Sequence, residues 1–518
     1  MPFQPLFVII VLCLVIIALI KDRMRPGLIL LSAAVVFLCA GILSPKEMLE
    51  GFSNKGMITV ALLFLVSEGV RRSGLLEKLL RSLLPHKDAT VRGAQLRMLP
   101  VVSFISAFLN NTPVVVIFAP MIKRWAERMR ISPTKLLIPL SYATILGGIC
   151  TLIGTSTNLV VHGMVIDAGF EGFSMFELGK VGIFIAVIGL AYILFASKYL
   201  LPDTRDARDD EATDSERAEG LHRVEVVLGP RFPAINRRVS DFDFQQKYGA
   251  TIIELKRGGE KFIMHDLRRE RFRDGDTLVL LSDDSFMKNW GDSSFFLLVS
   301  NGHEAEPKMG RVKRWCAVAL LVLMVLGATI GELPAVKAAC PSMKLDMFFF
   351  AAVVTVVMAW SGMFPARKYT KFISWDILIT IASAFAISRA MQNSGMADEV
   401  ASFAIGLSHT HGPIVLLAVV FVITNLFTEL MTNNAAAALA FPISLSIAQQ
   451  LGVSPMPFFV TICIAASSSF STPIGYQTNL IVQGIGNYRF TDFVKIGLPL
   501  NIISLVLTVL LVPMIWSF

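Results

Sequence analysis

Charge is scarce in this chain. Asp, Glu, Lys and Arg make up 17% of its 518 residues, hydrophobic residues 54%, and the mean hydropathy is +0.64. These values exclude a soluble globular protein of this length, and several stretches of about 18–20 apolar residues are long enough to span a bilayer. The six cysteines (Cys13, Cys39, Cys150, Cys316, Cys340 and Cys463) show no CxxC or Cys/His spacing, which argues against a disulfide or metal framework. Met1 to Ile20 lacks a basic leader and a small-residue cleavage site, so it reads as a retained first span. No nucleophile–base pair or phosphate loop is evident, so neither an enzyme nor an enzymatic cofactor is expected. The net charge of +8 sits mainly in loops and fits a membrane protein better than nucleic-acid binding.

What is present falls into two halves around a polar insert. In the first half (1–200), apolar spans lie near residues 5–20, 27–43, 56–70 and 181–200. Between the last two of these, a further span begins at Leu136 and is broken at Gly147-Gly148, expected to pack closely, and again at Gly154 to Asn158. Ser73 to Leu84 is basic and amphipathic and reads as lying along the interface. Residues 201–221 form a charged linker, and 222–285 alternate like a small α/β domain. Its expected strands are 224–228, 251–255 and 277–281, with a helix over 241–248 and a turn at Gly258-Gly259. A second linker, 286–312, leads to the second half (313–518), with spans near 313–331, 347–363, 373–391, 456–482 (broken) and 494–516.

Two short motifs carry the functional argument. Ser106 to Pro120 contains Asn110-Asn111-Thr112, and Thr428 to Pro442 contains Thr432-Asn433-Asn434. Ser106 and Thr428, Asn111 and Asn433, and Pro120 and Pro442 all stand 322 residues apart. Ser73-Gly74 with Ser394-Gly395, Thr59 with Thr380, and Thr157-Asn158-Leu159 with Thr478-Asn479-Leu480 stand 321 apart. Such agreement predicts an internal repeat. Lys and Arg crowd 21–25, 71–97, 123–135, the insert and 367–371, while the alternating loops carry far fewer. With the insert cytoplasmic and Met1 outside, hairpins at 99–121 and 414–445 enter from opposite faces. The expected fold is an all-α polytopic membrane protein: an inverted repeat of five spans plus one re-entrant hairpin per half, with a small cytoplasmic α/β insert.

A lone Asn-Asn-Thr in a membrane helix is usually interhelical glue. Two matched copies, each followed by a Gly-containing break, read instead as half-sites at the bilayer midplane. Candidate substrate contacts are Asn110, Asn111, Thr112, Thr155, Thr157, Asn158, Thr432, Asn433, Asn434, Thr478 and Asn479. Hard oxygen donors from Ser106, Thr428, the Asn side chains and loop carbonyls suit a small alkali cation. The site so drawn contains no Lys or Arg, so helix ends and amides would hold the anion. Glu429 is unmatched, because Ala107 takes its place in the first copy. It reads as a structural cap or, alternatively, as a coupling carboxylate.

These motifs resemble the divalent anion/sodium symporter family, within the wider ion-transporter superfamily. Each hairpin there carries Ser-Asn-Thr, followed by a Gly-Thr-Pro-Pro-Asn-like break. Here the central Asn of each tip is kept, and Pro-Pro is missing from Gly154-Thr155-Ser156-Thr157-Asn158 and Gly475-Tyr476-Gln477-Thr478-Asn479. The resemblance implies an elevator-type secondary transporter, usually a homodimer in the cell membrane, that couples anion uptake to sodium held at two sites, one at Ser106, Asn111 and Gly154 and the other at Thr428, Asn433 and Gly475. The departures resemble the sulfate-type branch, with sodium/dicarboxylate symport as the alternative. Other readings are a cation/proton antiporter using Glu429, or a channel or sensor gated through the insert. Val226-Val227, Lys247-Tyr248-Gly249 and Arg273 to Asp276 resemble a TrkA-C (RCK-C) regulatory domain, which implies dimerisation or a small regulatory ligand.

Overall fold

The structure, a computed structural model, describes residues 3–21, 24–85, 90–203, 222–229, 231–283, 286, 290, 293, 295–300, 309–339, 344–407 and 412–518. Cys340, His409 and most of the 201–221 linker lie outside them.

The first half contains α1 (Gln4–Lys21), α2 (Pro26–Cys39), α3 (Pro45–Glu50), α4 (Lys55–Arg72), α5 (Leu75–Leu83), α6 (Val91–Ser106), α7 (Asn111–Arg128), α8 (Thr134–Gly148), α9 (Ser156–Asp167) and α10 (Gly179–Leu200). Local chemistry sets several boundaries. Ser44 and Glu47 close a reciprocal capping box on α3, and Asn54 accepts the Gly56 N–H at the start of α4. Gly74 takes φ +66° to turn α4 into the amphipathic α5, a conformation with no Cβ penalty at glycine.

The insert holds β1 (His222–Leu228), α11 (Phe244–Tyr248), β2 (Thr251–Arg257), β3 (Glu260–Ile263), α12 (Met264–Arg269), β4 (Thr277–Ser282) and β5 (Phe296–Ser300). Its antiparallel sheet runs β3-β2-β4-β1-β5 over a core rich in aromatics, Phe232, Phe242, Phe272 and Phe296 among them. β5 corrects the expected domain end at 285. Phe296-Leu297-Leu298-Val299-Ser300 completes the free edge of β1, so the domain reaches Ser300.

The second half contains α13 (Arg311–Gly331), α14 (Pro334–Ala339), α15 (Met347–Trp360), α16 (Trp375–Asn393), α17 (Met396–Leu407), α18 (Gly412–Leu430), α19 (Asn433–Leu451), α20 (Met456–Ser467), α21 (Gln477–Gly486) and α22 (Phe490–Ile515). Apart from α14, which has no counterpart, its helices follow the order of the first half. Gly395 takes φ +73° between α16 and α17, as Gly74 does between α4 and α5. Among the described residues, five helical segments are long and apolar enough to cross a membrane, and shorter apolar helices join them. The chain is a polytopic, mainly helical membrane protein.

The hairpins α6–α7 and α18–α19 point at each other. The base of α7 meets the insert, where Lys123 pairs with Glu225 at 2.9 Å. α16 begins on that same side, with Asp376 facing Arg231, and its 19 residues carry it about 28 Å away. There α17 receives the base of α19, as Gln450 Nε2 donates to the Asp398 carbonyl at 2.9 Å. Each broken helix then crosses over, α21 packing on α7 and α9 on α19. The two halves therefore interlock at their polar breaks.

Candidate functional site

Each hairpin turns through a hydroxyl–amide pair. Ser106 Oγ donates to Asn111 Oδ1 at 2.6 Å, and Thr428 Oγ1 donates to Asn433 Oδ1 at 2.8 Å. Each break is tied by an Asn reaching back. Asn158 Nδ2 donates to the Gly148 and Thr151 carbonyls, and Asn479 Nδ2 to those of Ser469 and Thr472. The hydroxyls of Thr151 and Thr472 donate to the carbonyls of Ala107 and Glu429 and accept the N–H groups of Gly154 and Gly475. These ties recur at the repeat spacing, so the internal symmetry extends to single hydrogen bonds. Gly154 and Gly475 are required by close approach: a Cβ would stand 2.5 Å from the Gly148 carbonyl oxygen in one and 2.5 Å from that of Thr428 in the other. Gly147 likewise lets α8 rest on the backbone of Ser103, as the close packing expected there demands.

Between the tips lies a cavity of about 340 Å3 on the insert side. Asn110, Thr112, Thr155, Thr157, Thr432, Asn433, Asn434 and Gly475 line it, together with Ser156, Tyr476 and Gln477. The repeats exchange partners across it. Thr112 Oγ1 donates to Gln477 Oε1 at 3.3 Å, and Ser156 and Thr157 donate to Asn434 Oδ1 at 3.3 and 3.2 Å. Asn111, Asn158, Thr478 and Asn479 are fully buried behind this wall rather than on it. Ser141 donates to Asn479 Oδ1 at 2.7 Å, and its hydroxyl oxygen lies 2.9 Å from Thr478 Oγ1. Ser106, Asn111 and Gly154 thus gather at one hairpin, and Thr428, Asn433 and Gly475 at the other, each beside helix C-terminal carbonyls.

Electrostatics favour an anion in the middle. α7, α9, α19 and α21 all begin at this cavity, and none of their N-caps (Asn110, Thr155, Thr432, Tyr476) makes a side-chain capping bond. First-turn N–H groups have no partner within their own helix, and each N-terminus carries roughly half a positive charge. Four together offer on the order of +2. The expectation of a site without Lys or Arg needs one correction. Arg71, at the end of α4, lines the cavity, its charge shared with Glu68 through bonds of 2.7 and 2.8 Å. In the sequence it counts only among the basic residues that crowd 71–97, just ahead of the interfacial stretch.

Two further side chains complete the picture. Glu429 accepts the Ser471 N–H at 2.8 Å and Asn501 Nδ2 at 2.7 Å, with Ser469 Oγ at 3.3 Å, so it fastens the second break to α22. Tyr476 has no like partner in the repeat, since Thr155 holds the matching position. Its hydroxyl accepts from Asn111 Nδ2 at 2.6 Å.

The family model described as "Citrate transporter" (CitMHS) matches this chain over residues 14–443 and 341–518. The chain belongs to the citrate transporter family. Three relatives place this permease further. It is 29% identical to an uncharacterized transporter of Synechocystis over 93% of its own length and 92% of that protein. It is 22% identical to a probable sodium/sulfate cotransporter 3 of Chlamydomonas reinhardtii, over 89% and 82% of the two chains. It is 19% identical to a sodium-dependent dicarboxylate transporter of Staphylococcus saprophyticus, over 91% and 78%. The permease is therefore a secondary transporter of the divalent anion/sodium symporter type, not an enzyme.

Proposed function

We propose that this permease imports a small divalent oxyanion, sulfate foremost, together with sodium. The observation that carries this is the meeting of four uncapped helix N-termini at one cavity walled by hydroxyls and amides. Thr112, Thr155, Thr157, Thr432, Asn433, Asn434 and the backbone around Asn110 hold the anion. Buried ties at Asn111, Asn158, Thr478 and Asn479 keep that wall in shape. One sodium sits at Ser106, Asn111 and Gly154, the other at Thr428, Asn433 and Gly475. The hairpins and broken helices then move as a body past the remaining spans, in a homodimer whose insert is cytoplasmic and whose N-terminus is outside. The Chlamydomonas relative's name supports sodium and sulfate. A cavity of about 340 Å3 also has room for a C4 dicarboxylate, and the Staphylococcus relative makes that the second reading.

A thermal-shift screen of sulfate, thiosulfate, phosphate and C4 dicarboxylic acids, each with and without sodium, tests the assignment, because a ligand of the folded state raises apparent stability. Sulfate is expected to stabilise the permease more with sodium than without. Stabilisation by C4 acids alone would transfer the function to the dicarboxylate reading.

A further inference from the structure

The inverted repeat allows its two breaks to be compared position by position, and between the matched glycines and asparagines a threonine in the first half stands where the second has a tyrosine. Thr155 stands at the N-cap position of α9 in the first half, and Tyr476 at that of α21 in the second, 321 residues on. The Tyr476 side chain is 7% exposed and crosses into the other repeat's half-site. Its hydroxyl accepts from Asn111 Nδ2 at 2.6 Å and lies 3.1 Å from Thr155 Oγ1, with the Asn433 side chain a third polar neighbour. We propose that Tyr476 is the positioning and selectivity residue of this permease: it orients the Asn111 amide for a cation and fits the cavity to a compact tetrahedral oxyanion.

The argument rests on the reading of the cavity as an anion site flanked by two cation sites. An Asn amide has one accepting end and one donating end. With Nδ2 held by Tyr476, Oδ1 must face Ser106, which donates to it. The carbonyl oxygen is thereby presented to the cation side, whereas a flipped amide would offer N–H groups that repel a cation. A phenol hydroxyl has two acceptor positions and a single proton. Asn111 takes one acceptor position. The proton, with Thr155 Oγ1 3.1 Å from the hydroxyl oxygen, is what Tyr476 can donate to an oxyanion in the cavity. The ring itself fills the space a threonine would leave open, so an extended dicarboxylate must compete with it for volume.

Two variants separate these roles. Y476F keeps the ring and loses the hydroxyl, and Y476T copies the first repeat and opens the space. For the purified protein without any anion, the sodium concentration giving half-maximal thermal stabilisation is expected to rise about tenfold in Y476F, the cost of one buried hydrogen bond. In reconstituted vesicles, succinate is expected to compete with labelled sulfate about tenfold better in Y476T and no better in Y476F. A Y476F protein that elutes like the wild type and keeps its sodium midpoint overturns the orienting role. A Y476T protein with unchanged succinate competition overturns the selectivity role. Wild-type protein that responds to sodium but takes up no sulfate would defeat the proposed substrate instead, and the sodium midpoint of Y476F would still judge Tyr476.

Discussion

Asn111 and Asn433 bear the most at the residue scale, since each sits at a hairpin tip with its Oδ1 accepting from a hydroxyl five residues earlier. Alanine at either position removes that oxygen. Transport is expected to be lost while the protein still elutes as a folded, monodisperse species. Glu429 yields a sharper contrast. Glutamine preserves a carbonyl for the Ser471 N–H and Asn501, but alanine leaves both buried donors without it. Glu429→Ala is expected to cost roughly 1–3 kcal/mol, read as a lowered unfolding temperature, and Glu429→Gln much less. Sodium-driven uptake is expected to survive in Glu429→Gln; its loss from a stable protein would make Glu429 a coupling group. The paired asparagines were legible in the sequence because they recur at one spacing. Tyr476 was not, because a buried tyrosine that breaks the repeat leaves no periodic signal. Arg71 was hidden for a related reason: it stands beside the interfacial helix in sequence but faces the cavity in space.

The critical elements are the two breaks, where backbones pass closer than any side chain allows. A methyl at Gly475 would stand 2.5 Å from the Thr428 carbonyl oxygen and 2.0 Å from Ser469 Oγ. The serine can rotate, but the backbone of α18 cannot yield without moving the hairpin tip. Gly475→Ala is therefore expected to lower the unfolding temperature by the equivalent of about 1–3 kcal/mol and to abolish uptake. An active, fully stable Gly475→Ala protein would show that the break is looser than described. The spans, hairpins and interfacial helix were all readable from apolar runs and amphipathic spacing. The strand Phe296–Ser300 was not, because five residues with a continuous apolar core carry no alternation, and their partner β1 lies some seventy residues away.

For the whole molecule, the insert grips the far ends of two helices whose near ends form the cavity. Glu225 on β1 meets Lys123 of α7 at 2.9 Å and the buried Lys256 of β2 at 3.2 Å. The Gly259 N–H donates to Asn487 Oδ1 just past α21, and a Cβ at Gly484 would meet Thr277 Oγ1 at 2.7 Å. Burial raises the Glu225 pKa, but the two lysines outweigh it and hold the carboxyl down to about 2. A folded pKa below the ordinary value stabilises above about pH 4.5 and stops doing so as pH falls toward 2. Glu225→Gln should therefore lower the unfolding temperature at pH 7 and have progressively less effect as the pH approaches 2. An equal effect at both ends of that range would show that the ion cluster is not what fastens the insert. That the insert was polar and compact could be read from its sequence. Where it docks could not, because contacts between Glu225 and Lys123, or Gly259 and Asn487, join positions that share no pattern.

All three scales depend on one claim, that four helix ends around a cavity lined by hydroxyls and amides hold a divalent oxyanion beside sodium. The most direct test is uptake of labelled sulfate by vesicles containing only this protein. Accumulation is expected under an inward sodium gradient and not under a matched potassium gradient, with the sodium response lost in Asn111→Ala and Asn433→Ala. Sulfate accumulation of equal extent with and without the sodium gradient would contradict the account.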